Sequence, residues 1–589
     1  MRRKLCLILL ALVLVLLWGC GQETTAGTEI LVNIREGQGF TVVNNGQRIQ
    51  PGEDAVFLLK MDEGLSVAGV AEDFACHTAL ENGMVKLTLK NVERPAHVDL
   101  RLTESYEIIT YQPNGGDGAA VTAVHDTTNH LRPNTDTGHQ LFTREGYTLV
   151  SWNTQLDGTG ERVGLGSRVT VAGERLTLYA QWARWTDSEA FRWTENENGI
   201  TITGYRGDDP QVVIPAAIDG RAVTTIAAGA FQNIAMEEVV FPASLMAVED
   251  GAFQNCGLSV LTLFDNIETV GDGAFVDCQQ LMTLRINAIE APYGANYRKE
   301  SYYADKVDLL IQAQGEKKIV FYAGCSMWYN LDGALLTPLL AQGYQVVNMG
   351  LNGMANSAVQ TQIMEHFLEP GDIFFHTPEL CSDHQMMLTL NMGENADKLW
   401  CGIEYNYDIF TLVDMRTVSG VLDSFRDYLD RKKSGTDYTA VRLEDGNGFC
   451  DDYGCIPFER TITKQTLADE VYMDPSYITE KGMERLKAVY DRYQAKGVRI
   501  YVSYACMNMD AVPEEQIFSV EMVDARFHKA IRDMGGPVLI SNLEDYLYYH
   551  DDFFDTNYHL NSEAARRNTA AWLRDLQAQM ERDGLWEAP

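Results

Sequence analysis

The stretch KIVFYAGCS at Lys318–Ser326 decides the fold of the second half of this chain. Its run of apolar and aromatic residues predicts a strand that is buried on both faces. Similar runs follow along the chain, and helical patterns lie before and between them. The strands are expected at Tyr344–Asn348, Asp372–His376, Val498–Ser503 and Pro537–Ile540, and the helices at Ala304–Ala313 and Glu484–Ala495. Strands that alternate with helices predict a parallel α/β sheet, which we assign to residues 289–589.

Polar residues follow several of these strands, at the carboxyl ends where parallel sheets bind their ligands. The first strand ends in Gly324–Ser326, a tight turn that presents a serine at the sheet edge. The second ends in the glycine-rich turn Asn348–Gly353, whose backbone N–H groups can approach a ligand. Near the end of the chain, His559 stands just before a helix that begins near Ser562. A serine and a histidine so far apart meet only through the fold, as a nucleophile and its base must.

The order of these blocks resembles the SGNH, or GDSL-like, hydrolase superfamily over about residues 290–585. The most similar group comprises Gram-positive cell-surface members related to polymer acyl-transfer proteins. The resemblance implies Ser326 as the nucleophile, His559 as general base and acid, and Asp555 as the acid that orients the imidazole. It also implies an oxyanion hole formed by the backbone N–H groups of Ser326 and Gly353.

Two departures from the family pattern concern the strand ends. Cys325 occupies the position before the nucleophile, where the family has an acidic or small residue. After the third strand the family often has Gly-x-Asn-Asp, whereas this chain has His376–Glu379. The oxyanion hole therefore lacks its side-chain donor or recruits another, and the loss of one such donor costs about 10²–10³ in rate.

A third departure concerns the spacing of acid and base. The family's acid usually precedes the histidine by three residues, whereas Asp555 precedes His559 by four. The extra residue must bulge, or else Asp551 or Asp552 takes the role. We favour Asp555 because one additional residue is a smaller distortion than four or five.

An internal repeat precedes this domain. The tripeptide Gly-Ala-Phe recurs every 22 residues, at Gly229–Phe231, Gly251–Phe253 and Gly273–Phe275. This period lies in the range of leucine-rich repeats, and each phenylalanine is expected to fill the solenoid interior. The signature resembles the BspA-type leucine-rich repeat, which we assign to residues 185–288. Cys256 and Cys278 occupy equivalent repeat positions, so we interpret them as a packing ladder rather than a metal site.

Two β modules come before the repeats. Residues 105–184 carry, in order, Tyr111–Gly116, Arg144–Asn153, Asp157–Gly160 and Leu176–Trp182. These aromatic-rich strands and glycine turns resemble the Listeria–Bacteroides, or internalin B-type, repeat of bacterial surface proteins. Its residues Trp152 and Trp182 are expected in the core. Residues 28–104 show alternating apolar residues and turn signals that predict a small β-sandwich-like domain.

The first 20 residues predict an export signal. Three basic residues, Arg2–Lys4, precede the apolar run Leu5–Leu17, whose 13 residues are too few to span a membrane comfortably. The stretch Leu17–Cys20 resembles a bacterial lipoprotein box, and ordinary secretory cleavage nearby is the alternative. The resemblance implies that Cys20 is acylated, which would tether the protein to membrane lipid on the outer face of the cytoplasmic membrane.

Composition and charge exclude several protein classes. Hydrophobic residues make up 46% and charged residues 22%, which is ordinary for a globular protein and unlike a collagen or a polytopic membrane protein. The 47 basic and 83 acidic side chains give a net charge of −36, which repels phosphate backbones, so we expect no nucleic-acid partner. The chain has no CxxC pair or HExxH motif that would indicate zinc, and we expect no metal or cofactor.

Two functions fit these features. The first is a serine-dependent esterase or O-acyltransferase that acts on acylated extracellular or cell-wall glycan. In it, Ser326 attacks the ester and His559 transfers the proton. The second is a surface adhesion or scaffold protein, whose repeats bind a glycan or surface protein and whose SGNH-like domain is catalytically degenerate. A Ser326–His559 separation beyond hydrogen-bond reach would favour the scaffold.

Overall fold

The computed structural model describes most of the chain in two compact units. The described residues are 29–62, 64–71, 74, 76–81, 84–104, 106–126, 132–138, 141–171, 173, 175–289, 303–350, 357–380, 400, 403, 406–417, 422, 425, 428, 451–456, 459–461 and 474–586. One unit comprises 1–112, 119–133 and 170–178, and the other 113–118, 134–169 and 179–589. The predicted signal, Cys20 and Gly353 lie outside the described residues.

The first unit consists of β-strands. They are β1 Ile30–Ile34, β2 Phe40–Val42, β3 Gln47–Ile49, β4 Glu53–Met61, β5 Ser66–Val70, β6 Cys76–Glu81, β7 Met84–Val92, β8 Ala96–Val98, β9 Leu100–Thr103, β10 Tyr106–Gln112 and β11 Val121–Asp126. An antiparallel sheet runs in the order β2-β4-β7-β6-β11-β10. Strand β1 pairs with β3 and β8 in a second sheet, and β5 pairs with β9.

Apolar alternation builds the core of this unit. Val85, Leu87 and Leu89 of β7 are buried, as the sequence pattern predicts. The antiparallel sheet extends beyond residue 104, because Ala123 of β11 pairs with Ala79 of β6. The strands of the first predicted module and the opening hairpin of the next therefore share one hydrogen-bonded sheet.

The second unit opens with the aromatic strands β12 Tyr147–Asn153, β13 Arg162–Val163 and β14 Arg175–Arg184. Trp152 is fully buried, and its indole N–H donates to the Asp136 carbonyl at 2.6 Å. The Trp182 indole donates to the Pro113 carbonyl at 2.9 Å. Trp152 therefore lies in the core, as predicted, whereas Trp182 is only partly buried.

The repeat region forms a short solenoid that is built mainly of parallel strands. Its strands are β15 Phe191–Asn196, β16 Gly199–Tyr205, β17 Gln211–Val213, β18 Ala217–Ile218, β19 Arg221–Ile226, β20 Glu238–Val240, β21 Ala247–Val248, β22 Val260–Phe264, β23 Thr269–Val270 and β24 Thr283–Asn287. Strands β17-β20-β22-β24 form one parallel face, and β16-β19-β21-β23 form another. The repeat register predicted from Gly-Ala-Phe therefore corresponds to stacked coils.

Stacked phenylalanine rings fill the solenoid. Phe231 and Phe253 lie 4.8 Å apart between ring centroids, and Phe253 and Phe275 lie 5.3 Å apart, with nearly parallel planes. Phe231 and Phe253 are fully buried, whereas Phe275 is only partly buried. The Cys256 thiol donates to the Phe231 carbonyl at 2.9 Å, which agrees with a packing role.

The C-terminal part is a five-stranded parallel sheet with helices. The strands are β25 Lys318–Tyr322, β26 Gln345–Asn348, β27 Ile373–His376, β28 Arg499–Val502 and β30 Val538–Leu539, in the order β26-β25-β27-β28-β30. A separate short pair joins β29 Met507–Asn508 to β31 Leu547–Tyr548. Each predicted strand of this sheet is present and parallel to its neighbours.

Helices connect these strands. The α-helices are α1 Tyr303–Gln312, α2 Cys325–Asn330, α3 Thr337–Ala341, α4 Ser357–Phe367, α5 Glu480–Ala495, α6 Ile517–Met534 and α7 Ser562–Arg582. Short 3₁₀ turns lie at Ser188–Ala190, Gly333–Leu335, Tyr407–Leu412, Met415–Thr417, Pro475–Tyr477, Met509–Ala511, Glu514–Gln516, Leu543–Tyr546 and His550–Asp552. In this described set, no helix is long and apolar enough to cross a bilayer.

Buried ion pairs hold this unit together. Lys318, the first residue of β25, is completely buried, and its ammonium lies 2.9 Å from the Asp372 carboxylate. Arg168, in the Listeria–Bacteroides region, is also buried and binds Asp308 at 2.6 Å and the adjacent Asp305 of helix α1. A buried charge is tolerated when it is paired, so these contacts explain how charged residues occur in an otherwise apolar interior.

Candidate active site

The first candidate block lies at the carboxyl edge of the parallel sheet. Strand β25 is flanked by β26 and β27, so it is an inner strand of the sheet. The chain leaves β25 through Ala323 and Gly324 and enters helix α2 at Cys325. Cys325 and Ser326 therefore stand where parallel sheets place their ligands.

The predicted base and orienting acid are in direct contact. His559 Nδ1 lies 2.7 Å from Asp555 Oδ1. The imidazole is 6% exposed, while the Asp555 side chain is about one-third exposed at 35%. A carboxylate on Nδ1 holds the ring in one orientation and directs Nε2 away from itself. The two residues thus have the arrangement that a general base and its orienting acid require.

A closed loop accommodates the extra residue between acid and base. The Phe554 N–H donates to the His559 carbonyl at 2.7 Å, and Phe553 forms an antiparallel bridge with Leu560. The chain between these contacts therefore bulges outward and brings Asp555 back onto the imidazole. The sequence had left two possibilities open, a bulge that brings Asp555 to His559 or a different acid, and the structure has the bulge.

The other two candidate acids lie elsewhere. Asp552 forms an ion pair with Arg567 and accepts the Tyr549 N–H at 3.1 Å. Asp551 is exposed, and its backbone carbonyl accepts the Asn561 side-chain amide at 2.9 Å. Asp555 is thus the carboxylate that the structure brings to the histidine.

Helix α2 supports the histidine with two side chains. The Tyr329 ring stacks on the imidazole, with centroids 3.7 Å apart and planes 4° from parallel. Asn330 donates to the Tyr558 carbonyl at 2.8 Å and accepts the Leu560 N–H at 2.8 Å. Asn330 therefore binds the backbone on both sides of His559 and holds the loop that carries His559 against helix α2.

Sequence reasoning did not single out Tyr329 and Asn330. The available signal was their spacing, because they follow Cys325 and Ser326 by four residues and so share helix faces with them. That signal has meaning only once the helix and the histidine loop are known to be in contact.

The predicted nucleophile is buried. Ser326 is 1% exposed, and its Oγ has no hydrogen-bond partner among the described residues. The neighbouring Cys325 is partly exposed and is a free thiol. The structure brings Ser326 to the same turn as the histidine loop but shows no hydrogen bond between Ser326 and His559.

The environment of His559 favours its protonated form. Burial by itself lowers the pKa of the imidazole, but the nearby Cys325 thiol and the Asp555 carboxylate overcome that effect and raise the pKa to about 9. Nε2 is buried and has no hydrogen-bond partner among the described residues. Cys325 nevertheless lies close enough to interact with the ring. Nε2 is therefore available to exchange a proton with a group at the start of helix α2.

The turn that begins at Asn348, at the end of β26, packs directly against helix α2. The Asn348 amide donates to the Met327 carbonyl at 3.0 Å, and its oxygen accepts the Gly350 N–H at 2.9 Å. A side chain at Gly350 would place its Cβ 2.5 Å from the Trp328 backbone nitrogen, so this turn requires glycine. Gly353, the predicted second oxyanion donor, stays a prediction because it lies outside the described residues.

The segment His376–Glu379, which follows β27, carries no oxyanion donor of the family type. His376 Nδ1 lies 2.6 Å from the Tyr490 hydroxyl, and complete burial lowers the pKa of this imidazole to about 3. Glu379 is buried beside a cavity of about 20 Å³, which is room for about one water molecule. His376 is therefore a neutral structural group in the sheet.

The comparisons with known proteins identify the two repeat modules. Residues 217–296 match the BspA-type leucine-rich repeat region in six copies, and residues 108–181 match the Listeria–Bacteroides repeat domain. Both resemblances drawn from the sequence are thereby confirmed. The chain thus carries repeat modules typical of bacterial surface proteins.

Individual relatives cover little of the chain. Over 46 residues it is 46% identical to a protein of Evansella cellulosilytica whose assigned name describes it as a membrane protein. That match covers 8% of this chain and 7% of the length of the relative. A leucine-rich repeat protein of T. pallidum, with a solved structure, is 20% identical over 17% of this chain and 71% of its own, with a TM-score of 0.12.

Proposed function

We propose that this chain is a bacterial surface protein whose C-terminal domain transfers or hydrolyses O-acyl groups on an extracellular or cell-wall glycan. The observation that carries the proposal is the His559–Asp555 contact of 2.7 Å beside the turn that follows β25. A buried imidazole that a carboxylate orients through Nδ1 is suited to proton transfer at an ester.

The architecture supports the same reading. Cys325 and Ser326 follow the first strand of the domain, His559 precedes its last helix, and Tyr329 of helix α2 stacks on the imidazole at 3.7 Å. This order along the chain is what the SGNH resemblance implies. The resemblance names Ser326 as the nucleophile, with its own N–H and that of Gly353 as oxyanion donors.

Location supports a polymeric substrate outside the cell. The proposed export signal ends in Cys20, whose acylation would tether the protein to membrane lipid. The repeat modules add surface on which a glycan or a surface protein can bind. We infer glycan esters as the substrate class because an enzyme held at the cell surface meets its substrates there.

A scaffold protein with a degenerate hydrolase domain is the second candidate. It is favoured by the burial of Ser326, whose Oγ makes no hydrogen bond with the imidazole, and by the residues His376–Glu379, which differ from the family's Gly-x-Asn-Asp. In this reading His559 and Asp555 are remnants, and the repeats perform the function.

The experiment that separates the two candidates measures ester turnover by the mature chain. Wild type, Asp555→Asn and His559→Gln are assayed with p-nitrophenyl acetate and with an O-acetylated glycan, from which released acetate is quantified. Because loss of a general base costs about 10²–10⁴ in rate, both variants should lose at least 100-fold in kcat/KM.

Asp552→Asn is the matched control. It removes the same charge from the same loop, but Asp552 pairs with Arg567 and does not contact the imidazole, so turnover should stay within about twofold of wild type. Absence of turnover by wild type on both substrates would favour the scaffold. Equal turnover by wild type and His559→Gln would exclude His559 as the base.

A further inference from the structure

We propose that Cys325, rather than Ser326, is the nucleophile of this site, so that the acyl group is carried as a thioester by a Cys325–His559–Asp555 triad. The inference rests on the proposed acyl-transfer function and deepens it by naming the atom that forms the intermediate. Nothing in the family resemblance suggests it, because that resemblance assigns the role to serine.

The face of helix α2 that meets the imidazole is the face of Cys325. Tyr329, which stacks on His559 at 3.7 Å, follows Cys325 by four residues and therefore shares its helix face. A helical side chain lies over the turn that precedes its own Cα, so the Tyr329 ring extends toward Cys325. The imidazole that covers this ring therefore faces the thiol.

Electrostatic coupling gives independent support for this contact. Both Cys325 and Asp555 act on His559 through charge and hydrogen bonding, and they raise its pKa against the opposing effect of burial. Asp555 occupies Nδ1, which leaves the buried Nε2 for the thiol side of the ring. The imidazole thus has a carboxylate on one nitrogen and a thiol close to the other.

Accessibility also distinguishes the two candidates. Cys325 is partly exposed, whereas Ser326 is 1% exposed and its Oγ has no hydrogen-bond partner among the described residues. A nucleophile must reach a substrate carbonyl and must be activated by a base. Cys325 meets both conditions in this structure, and thiols are intrinsically more nucleophilic than hydroxyl groups.

The proposed reaction needs only the ester and an acceptor, which is water or a sugar hydroxyl. The Cys325 thiol first gives its proton to His559 Nε2, and Cys325 Sγ then attacks the ester carbonyl. The bond between the carbonyl carbon and the alkoxy oxygen breaks, and Nε2 gives the proton to the departing alcohol, which leaves an S-acyl group on Cys325. Water or a sugar hydroxyl then attacks the thioester, its proton passes through Nε2 to Sγ, and the carboxylic acid or new ester departs.

The test locates the acyl group on the wild-type protein. The mature chain is mixed with p-nitrophenyl acetate, quenched in acid, digested and sequenced by tandem mass spectrometry, with fragmentation between residues 325 and 326. We expect the acetyl group on Cys325, and we expect neutral hydroxylamine to remove it, because hydroxylamine cleaves thioesters far faster than oxygen esters.

Variants provide the second measurement. Cys325→Ala should abolish the adduct and lower kcat/KM at least 100-fold, whereas Ser326→Ala should still carry the acetyl group on Cys325. Iodoacetamide should inactivate wild type. Cys76→Ser is the control, because this exposed thiol is remote in sequence and should not affect turnover or the adduct.

Each outcome is decisive. An acetyl group on Ser326 that resists hydroxylamine, with activity retained in Cys325→Ala, would overturn the inference and leave the proposed function intact. Absence of both adduct and turnover in folded wild type would overturn the proposed function together with the inference.

Discussion

At the scale of single residues, two buried histidines in the α/β domain have opposite protonation preferences. His376 is buried without a carboxylate, and burial lowers its pKa to about 3. His559 is equally enclosed, but Cys325 and Asp555 raise its pKa to about 9. The same residue type is thus held neutral at the end of β27 and charged in the loop before helix α7, and the difference comes from the groups placed beside it.

This contrast predicts a stability optimum with a separate cause on each side. Below about pH 6.5, His376 is protonated in the unfolded chain but stays neutral in the folded chain. The free energy of unfolding therefore falls as the pH falls toward 3. Above about pH 6.5 the folded chain holds a proton at His559 that the unfolded chain has released, so stability falls as pH rises toward 9. Each group contributes a slope of at most about 1.4 kcal/mol per pH unit within its window.

Scanning calorimetry of the mature chain from pH 4 to pH 9 measures both slopes. His376→Gln should flatten the acid side and leave the alkaline side unchanged, whereas His559→Gln should do the reverse. Identical pH profiles for wild type and His559→Gln would show that the imidazole does not hold its proton in the folded protein.

At the scale of elements, the phenylalanine stack explains why the repeats need one another. Phe253 has a ring on each side, at 4.8 Å and 5.3 Å between centroids, whereas Phe275 stacks on Phe253 and is only partly buried. The ring of a middle repeat is thus buried by the repeats on both sides, whereas the ring of the next repeat, Phe275, is buried less.

Truncation of the stack should therefore depend on position. Phe253→Ala removes a fully buried ring and should cost about 3–5 kcal/mol of local stability. Phe275→Ala, the matched control in the next repeat, should cost clearly less because its ring is already partly exposed. Hydrogen exchange of the repeat strands, read by mass spectrometry, measures both. Equal loss of protection in the two variants would contradict the stacking account.

Helix α2 shows how a short element organises a site. Its six residues supply the candidate nucleophile, the ring under the imidazole and the amide that grips the histidine loop. Asn330 is therefore a positioning residue, since it acts on His559 only through the backbone of Tyr558 and Leu560.

At the scale of the whole molecule, two repeat modules precede an α/β domain within one chain. Arg168 of the Listeria–Bacteroides region binds Asp305 and Asp308 of helix α1 in a buried cluster. Because a buried charge is costly unless it is paired, this contact ties the module specifically to the α/β domain. The module is thus part of the structure around that domain.

Anchoring is the prediction that concerns the molecule as a whole. Cys20→Ala should release the protein from the membrane fraction into the medium, because two acyl chains anchor stably and their loss leaves no lipid attachment. Fractionation followed by immunoblotting measures the distribution, with Cys6→Ala as a control for a cysteine inside the signal. Retention of Cys20→Ala in the membrane fraction would contradict lipid anchoring.

The sequence by itself determined the modules and the strands. Periodicity identified the 22-residue repeat, motif order identified the Listeria–Bacteroides module, and apolar runs located the strands of the parallel sheet. These features are local, because the spacing of apolar residues and turn glycines follows from the geometry of a coil or a strand.

Only the tertiary structure decided which side chains meet. The residue spacing left Asp551, Asp552 and Asp555 open, and the loop closed by Phe554 and His559 brings Asp555 to the imidazole. The tertiary structure also stacks Tyr329 on that ring and buries Ser326, which no motif could indicate. The physical reason is that side-chain direction and burial depend on contacts between residues more than 200 positions apart, and such contacts leave no periodic trace in the sequence.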